Sequence, residues 1–325
     1  MDYSTIETSA RVREWQYLTG RDIDRLDRQR TVLMLSCSPL EVHGPHLPVV
    51  TDLHEAEGLA LRAMELLCEE HPEVEFVHLP PLWVAADVLP HPGSVMFRSS
   101  TITRVLADLG RSLARQGFRH LWVASFHGGP RHFVPIEIAA DRVYRRWGLG
   151  MVSAFSLLLS RLTGGGTDLA HVLGGLPGLT PEELDGDTHG GAIETSLMLH
   201  LLGRHVASGY EALPRLTVDL ELERLGVRPL ENRGLWQLVR GFRHKLAYFA
   251  ANTYSGKPSL GDAELGRRIL DVLARETATA LSEVYTGRLR PEDCHSPLWK
   301  ARWLFSNETL GWAFERMLRY ESRVF

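Results

Sequence analysis

The 325-residue chain is predicted to be an α/β protein, a three-layer α/β/α sandwich with a mostly parallel central sheet. Three observations predict this. Short apolar runs alternate with longer amphipathic ones through the first half, the pattern of strands interleaved with helices. The apolar runs are nearly uninterrupted, as strands covered on both faces require. Helix-starting and helix-ending residues separate the two kinds of segment.

In chain order, TVLMLSC at 31–37 reads as a buried strand and EAEGLALRAMELLCEE at 55–70 as a helix. EFVHLP then reads as a second strand. Ser99 or Ser100 is placed to cap a helix through TRVLADLGRSLARQ, which Gly117 ends in the left-handed conformation common after helices. HLWVASF is a third strand, FVPIEIAADRVYRRW a helix and GMVSAFSLLL a fourth strand. Crossovers of this kind place catalytic loops at the C-terminal ends of the strands. AIETSLMLHLL and DAELGRRILDVLARETATALSEVY read as later helices. The stretch 163–187, rich in Gly and Pro, is long for a connection and reads either as a lid or binding loop or as a surface excursion.

Composition narrows the function classes. A net charge of -4 argues against a general binder of polyanions, so Arg142, Arg145 and Arg146 read as a solvated helix surface and nucleic acid is not an expected partner. The chain begins with polar residues and nowhere offers the roughly 18 apolar residues of a membrane span, so a cytoplasmic protein without membrane attachment is expected. Cys37, Cys68 and Cys294 are far apart and lack C-x-x-C spacing, which leaves them as buried free thiols.

Candidate chemistry concentrates in three segments. In SPLEVHGPHLPVVTD, Glu41 and His43 lie two apart after a predicted strand, and extended backbone points side chains at that spacing to one side. Asp52 follows a turn-rich stretch and can return to the same end of the sheet. Carboxylate, imidazole and carboxylate suit Zn²⁺, Mn²⁺ or Fe²⁺; the same residues also read as ordinary loop polar groups and a capping Asp. His127 stands at another strand end before Gly128 and Gly129, where it reads as a site residue or a structural one. His189 precedes a helix that carries Glu194 in its first turns, and a carboxylate there also answers the helix dipole while facing solvent.

Together the three segments resemble the creatininase-like amidohydrolase family. EVHGPHLPVVTD is similar to its E-x-H-G-x-H-L-P-x-x-T-D signature, HGG to the core of its N-G-H-G-G-N turn, and HGGAIETS to its H-A-G-x-x-E-T-S, in the family's order. YSGKPSLGDAELG is a fainter match, with Gly261 in place of an Ala. The resemblance covers roughly residues 30–285, so 1–325 is expected to be one creatininase-like domain with a C-terminal extension over about 286–325.

The resemblance implies two divalent metal ions, Zn²⁺ first and Mn²⁺ or Fe²⁺ as alternatives, held by Glu41, His43, Asp52, His127 and Glu194, with Asp52 between them. His189 would be the acid-base residue, and the reaction would be cleavage of a C–N bond in a small molecule by a hydroxide bridging the metals. Trp83, His91 and Ser94 become pocket candidates because a second strand-end loop of the family lies there; Trp83 reads equally well as packing. The family resemblance also implies a homo-oligomer. Its alternatives are a peptidase or deformylase maturing a natural-product or cofactor precursor, and a catalytically silent binding or assembly subunit.

Two departures from the family pattern stand out. Creatininase itself takes a metal carboxylate from two residues past the histidine matching His127, where this chain has Gly129, and Glu194 is the expected replacement, as in the Gly-Gly members. The Asn residues flanking the HGG turn are Ser125 and Pro130 here, which leaves the substrate open.

Overall fold

The computed structural model of the chain describes residues 12–164, 173, 179–226, 235–318 and 324. Five strands form one parallel sheet: β1 Val12–Glu14, β2 Thr31–Cys37, β3 Glu75–Leu82, β4 His120–Ala124 and β5 Gly150–Ser153, in the order β1-β3-β2-β4-β5. β2 lies at the centre and is buried at every position, as its unbroken apolar run requires.

The helices are α1 Gly20–Arg25, α2 Thr51–Glu70, α3 Ser99–Arg115, α4 Pro130–Trp147, α5 Ala154–Gly164, α6 Pro181–Leu184, α7 Ala192–Leu202, α8 Val218–Arg224, α9 Leu235–Asn252, α10 Ala263–Tyr285, α11 Arg302–Ser306 and α12 Glu308–Leu318. Alternate strand residues face opposite sides, and this divides the core into two layers. Val32, Met34, Phe76, Trp122 and Val152 pack with apolar residues of α2, α5, α7 and α10. Leu33, Leu35, Val77, Leu121, Val123 and Met151 pack with α3 and α4. The sandwich is thus three-layered, as expected.

The expected strand at GMVSAFSLLL is corrected by the structure. β5 ends at Ser153, whose Oγ accepts from Ser156 N at 3.2 Å, and α5 starts at once. A serine bonded three residues ahead starts a helix, and an apolar run by itself does not separate strand from buried helix. The cap expected at Ser99 or Ser100 is also corrected: Arg98 holds the N-cap position, and its side chain makes no capping bond. Ser99 Oγ donates to Arg131 O at 2.8 Å, and the free Ser100 N–H donates to Glu308 Oε1 at 2.9 Å. Gly117 does adopt positive φ, at 94°.

The extension packs onto the α3 and α4 layer. α11 lies against both helices. Ser296 N donates to the buried Glu137 Oε1 of α4 at 2.9 Å, and Arg131 Nη2 lies 3.7 Å from Glu308 Oε2. Most of the Gly-rich stretch 163–187 lies outside the described residues; its end forms α6, started by a Thr180–Glu183 capping box. All three cysteines are buried. Among the described residues no helix is long and apolar enough to cross a membrane.

Strand order locates the site. After β2 the chain crosses to β3 through α2 in one layer, and after β4 it passes to β5 through α4 in the other. Loops leaving adjacent parallel strands for opposite layers open a crevice at the strands' C-terminal ends, the usual ligand position in such sheets.

Candidate metal centre

Glu41 and His43 leave β2 into this crevice on a loop held by its own backbone. Glu41 N donates to Val49 O at 2.8 Å, and Gly44 N to Thr253 O at 2.7 Å. The loop delivers Asp52 into the first turn of α2. His127 enters from β4, where Ser125 replaces the family's Asn. Ser125 Oγ lies 3.1 Å from both Ser38 Oγ and His132 Nε2, and Phe126 N donates to Ser38 Oγ at 3.0 Å, so hydroxyls pin this turn. His189 is fixed by backbone pairing with Ser255, and Glu194 opens α7.

The structure brings all six of these residues together. Potential ligand atoms of Glu41, Asp52 and His127 lie within 4.8 Å of one another, and so do those of His43, Asp52 and Glu194. Asp52 belongs to both groups and turns one oxygen to each: Oδ1 is 3.4 Å from His43 Nε2, and Oδ2 is 3.5 Å from His127 Nδ1. His127 Nδ1 also lies 3.1 Å from Glu41 Oε2, and His43 Nε2 lies 3.7 Å from Glu194 Oε2. Glu194 therefore faces the cluster rather than solvent. Glu41, His43 and His189 form a third such group.

The outer atoms of these side chains are tied to backbone. His43 Nδ1 donates to Glu41 O at 3.0 Å, His127 Nε2 donates to Ala86 O at 3.1 Å, and Leu89 N donates to Glu41 Oε1. A carbonyl only accepts, so these contacts fix each proton outward and leave His43 Nε2 and His127 Nδ1 as inward lone pairs when the rings are neutral. Glu41 Oε2, His43 Nε2 and Asp52 Oδ2 are buried with no aligned hydrogen bond. Buried polar atoms are normally satisfied. Unsatisfied oxygens and nitrogens converging from buried side chains are a donor set that fits a divalent cation.

Electrostatics agree. Burial lowers the His43 imidazole, but the Asp52 and Glu194 carboxylates overcome it and raise the group to about 10. His127 is likewise lowered by burial yet carried well above its ordinary value by Glu41 and Asp52. Burial raises Glu194 to about 7 against the pull of His43. Without a cation, protons hold the carboxylates together, and metal uptake must displace them. The His43 value exceeds its ordinary 6.5, so this group's stabilisation of the metal-free chain is complete below pH 6.5 and lost as pH rises through 10. Thermal melts of the metal-free chain are expected to fall across that window, while the metal-loaded chain holds; parallel profiles would contradict this.

His189 stacks on His43 with ring centroids 4.0 Å apart, and Phe249 packs edge-on at 5.8 Å. Its Nε2 donates to Val42 O at 2.9 Å, leaving Nδ1 as the acceptor. Burial and the His43 charge hold it well below the ordinary histidine range, so it is neutral.

The pocket candidates separate. Ser94 Oγ accepts from Val42 N at 3.1 Å, so it steadies the backbone between Glu41 and His43. Trp83 is 47% exposed and packs edge-on against Phe97, and His91 Nδ1 donates to Pro92 O. Neither belongs to a ligand group.

Sequence reasoning missed two residues here. His46 Nε2 lies 2.9 Å from Thr195 Oγ1, tying the β2 loop to the turn that carries Glu194, and burial lowers it to about 4. Glu55, one turn beyond Asp52, is buried with both carboxyl oxygens unpartnered; burial, then Glu194 and Asp52, raise it well above the ordinary carboxyl range. The HGPH spacing carried a signal for His46; nothing local marks Glu55.

Solved structures show the same fold. A manganese creatininase matches with a TM-score of 0.60 at 22% identity, covering 84% of this chain and 98% of its own. A glutamate-to-glutamine creatininase variant of the Zn-Zn type matches at 0.60 and 21%, with the same coverage. A similar variant complexed with creatine matches at 0.58 and 19%, again over 84% and 98%. No curated protein matches the chain. The creatinine amidohydrolase profile matches residues 16–281, most of the chain and all of the cluster, and the chain therefore belongs to the creatininase family.

Proposed function

We propose that the chain is a dinuclear-metal amidohydrolase that cleaves a C–N bond in a small molecule, a cyclic amide or formamide. Glu41, Asp52 and His127 would hold one divalent ion and His43, Asp52 and Glu194 the other, with Zn²⁺ the first expectation and Mn²⁺ or Fe²⁺ the alternatives. The observation that carries this reading is the pair of buried ligand groups sharing Asp52. Ions bound there would supply Lewis acidity and lower the pKa of a bound water toward neutrality.

The chain's own residues do the rest. The backbone ties of Glu41, His43 and His127 orient their inward atoms before any ligand arrives. His189 is neutral, with Nε2 committed to Val42 O, so Nδ1 takes a proton during attack and passes it to the departing nitrogen. Phe249 and the stacked His43 ring keep water from its faces. The reading includes assembly with further copies of the chain, for which exposed Trp303 and Trp312 of the extension offer apolar area.

The test is metal per chain after purification without chelator, with hydrolysis of cyclic-amide and N-formyl substrates assayed before and after metal removal and restoration. Two equivalents with metal-dependent turnover are expected; a metal-free chain regaining no activity with Zn²⁺ or Mn²⁺ would leave a silent binding subunit. Glu194→Gln is expected to leave about one equivalent, since the His43 group alone loses a ligand, and to weaken the other at least about tenfold. Retention of two tight equivalents would remove Glu194 from the ligand set.

A further inference from the structure

We propose that Asp87 is the positioning residue for the Glu41 and His127 half of the centre, an inference that rests on the metal-centre reading above. The segment after β3 supplies both outward contacts of that half: Ala86 O accepts from His127 Nε2, and Leu89 N donates to Glu41 Oε1. Asp87 lies between them.

Its backbone takes a φ of 65°, one of only two positive values at non-glycine positions among the described residues. A left-handed L-residue is disfavoured by the clash of its Cβ with the backbone and persists only where its surroundings hold it. Asp87 has such a hold. Its Oδ2 accepts from Arg131 N at 2.8 Å, a first-turn amide of α4. A carboxylate at this end is also favoured by the helix dipole.

The anchor joins two separate pieces of chain. α4 starts directly after the HGG turn, so the amide that holds Asp87 lies four residues from His127. Gly129 leaves the room: a Cβ there would lie 2.5 Å from Asp87 Cβ and 2.6 Å from His127 Nε2. The contact between Asp87 and the glycine turn therefore sets where Ala86 O and Leu89 N stand, and through them where His127 Nδ1 and Glu41 Oε2 point. The His43 group takes its orientation from Glu41 O and Gly190 N instead, neither of which belongs to this segment.

The experiment is calorimetric titration of the metal-free full-length chain with Zn²⁺, with bound metal counted after desalting and melting followed for each variant. Wild type is expected to take two equivalents. Asp87→Ala is expected to keep one at wild-type affinity and to weaken the other about 10- to 100-fold, the usual effect of losing an outer contact of a metal ligand. Asp87→Asn keeps an acceptor and tolerates positive φ, so it is expected to bring the weakened equivalent back to within about fivefold of wild type. Asp87→Gly relieves the backbone but lacks the anchor, and is expected to follow Asp87→Ala.

Wild-type binding of both equivalents by Asp87→Ala overturns the proposal and leaves the metal centre standing. Equal weakening of both equivalents, or no recovery with Asn, also overturns it, because the effect would then be general. If Asp87→Ala does not fold, Asp87→Gly decides: a loss confined to one equivalent supports the role, and no loss or an equal one overturns it. A wild-type chain that binds no divalent metal overturns the metal-centre reading, and the role of Asp87 with it, before any variant is compared.

Discussion

Asp52→Asn is expected to cost the chain both metal ions and nearly all turnover. Asp52 is the single residue common to the two ligand groups, with one oxygen facing His127 and the other facing His43. Asn replaces one of those oxygens with an NH₂ that cannot bind a cation, and it removes a buried carboxylate held well below its ordinary pKa. Burial works against that ionised state, and the charge on His43 outweighs it. Losing a negative charge from the middle of the cluster weakens both halves together. Metal affinity is expected to fall by at least about 100-fold and turnover by about 10³-fold or more. Elemental analysis after dialysis, paired with kcat at saturating Zn²⁺, checks both; full metal content with full activity would exclude Asp52 from the shared position.

His189→Ala is expected to do the opposite, keeping the metal and losing the rate. The ring is not required by either ligand group that shares Asp52. Its Nε2 is occupied by Val42 O and its neutral state is set by burial, so its remaining contribution is a proton at Nδ1. Removing a positioned acid-base group lowers kcat by about 10²- to 10⁴-fold. Two equivalents of Zn²⁺ should remain, and the limb of the pH–rate profile that reports this group should vanish. Loss of one equivalent instead would make His189 a ligand, consistent with its place beside Glu41 and His43.

The sequence made the scaffold legible where periodicity and local chemistry agreed. β2 was readable to the residue because every position is buried, and α7 because its apolar run is bounded by Gly191 and Gly203. α5 was not, since AFSLLL is apolar in either conformation and the deciding contact, Ser153 Oγ with Ser156 N, is one short bond. α9 escaped notice because its buried Tyr248 and Phe249 pack against Val218 and Leu222 of α8, partners distant in sequence. In the site, the spacing of Glu41, His43 and Asp52 and the strand-end place of His127 pointed to the crevice. Glu194 reads locally as solvent-facing or dipole-bound and, by the family resemblance alone, as a ligand; the approach of α7 to the β2 loop turns it inward. Glu55 and Asp87 depend wholly on tertiary placement: one is enclosed on a helix buried on several sides, and the other matters through two neighbours' backbone atoms.

The contacts of the C-terminal extension bear on how this protein can be cut and rejoined. The family match ends at residue 281, but the accounting of buried polar groups does not. Glu137 accepts from the backbone of Ser296, and the opening amide of α3 at Ser100 is answered by Glu308. A shortened version designed on the matched span would take a donor from an interior carboxylate and bare a helix end. It would also remove Glu308 from beside Arg131, whose amide steadies Asp87. Shortening the chain at residue 281 is therefore expected to lower its stability, and fusion partners or reporters belong beyond α12 rather than at the end of α10.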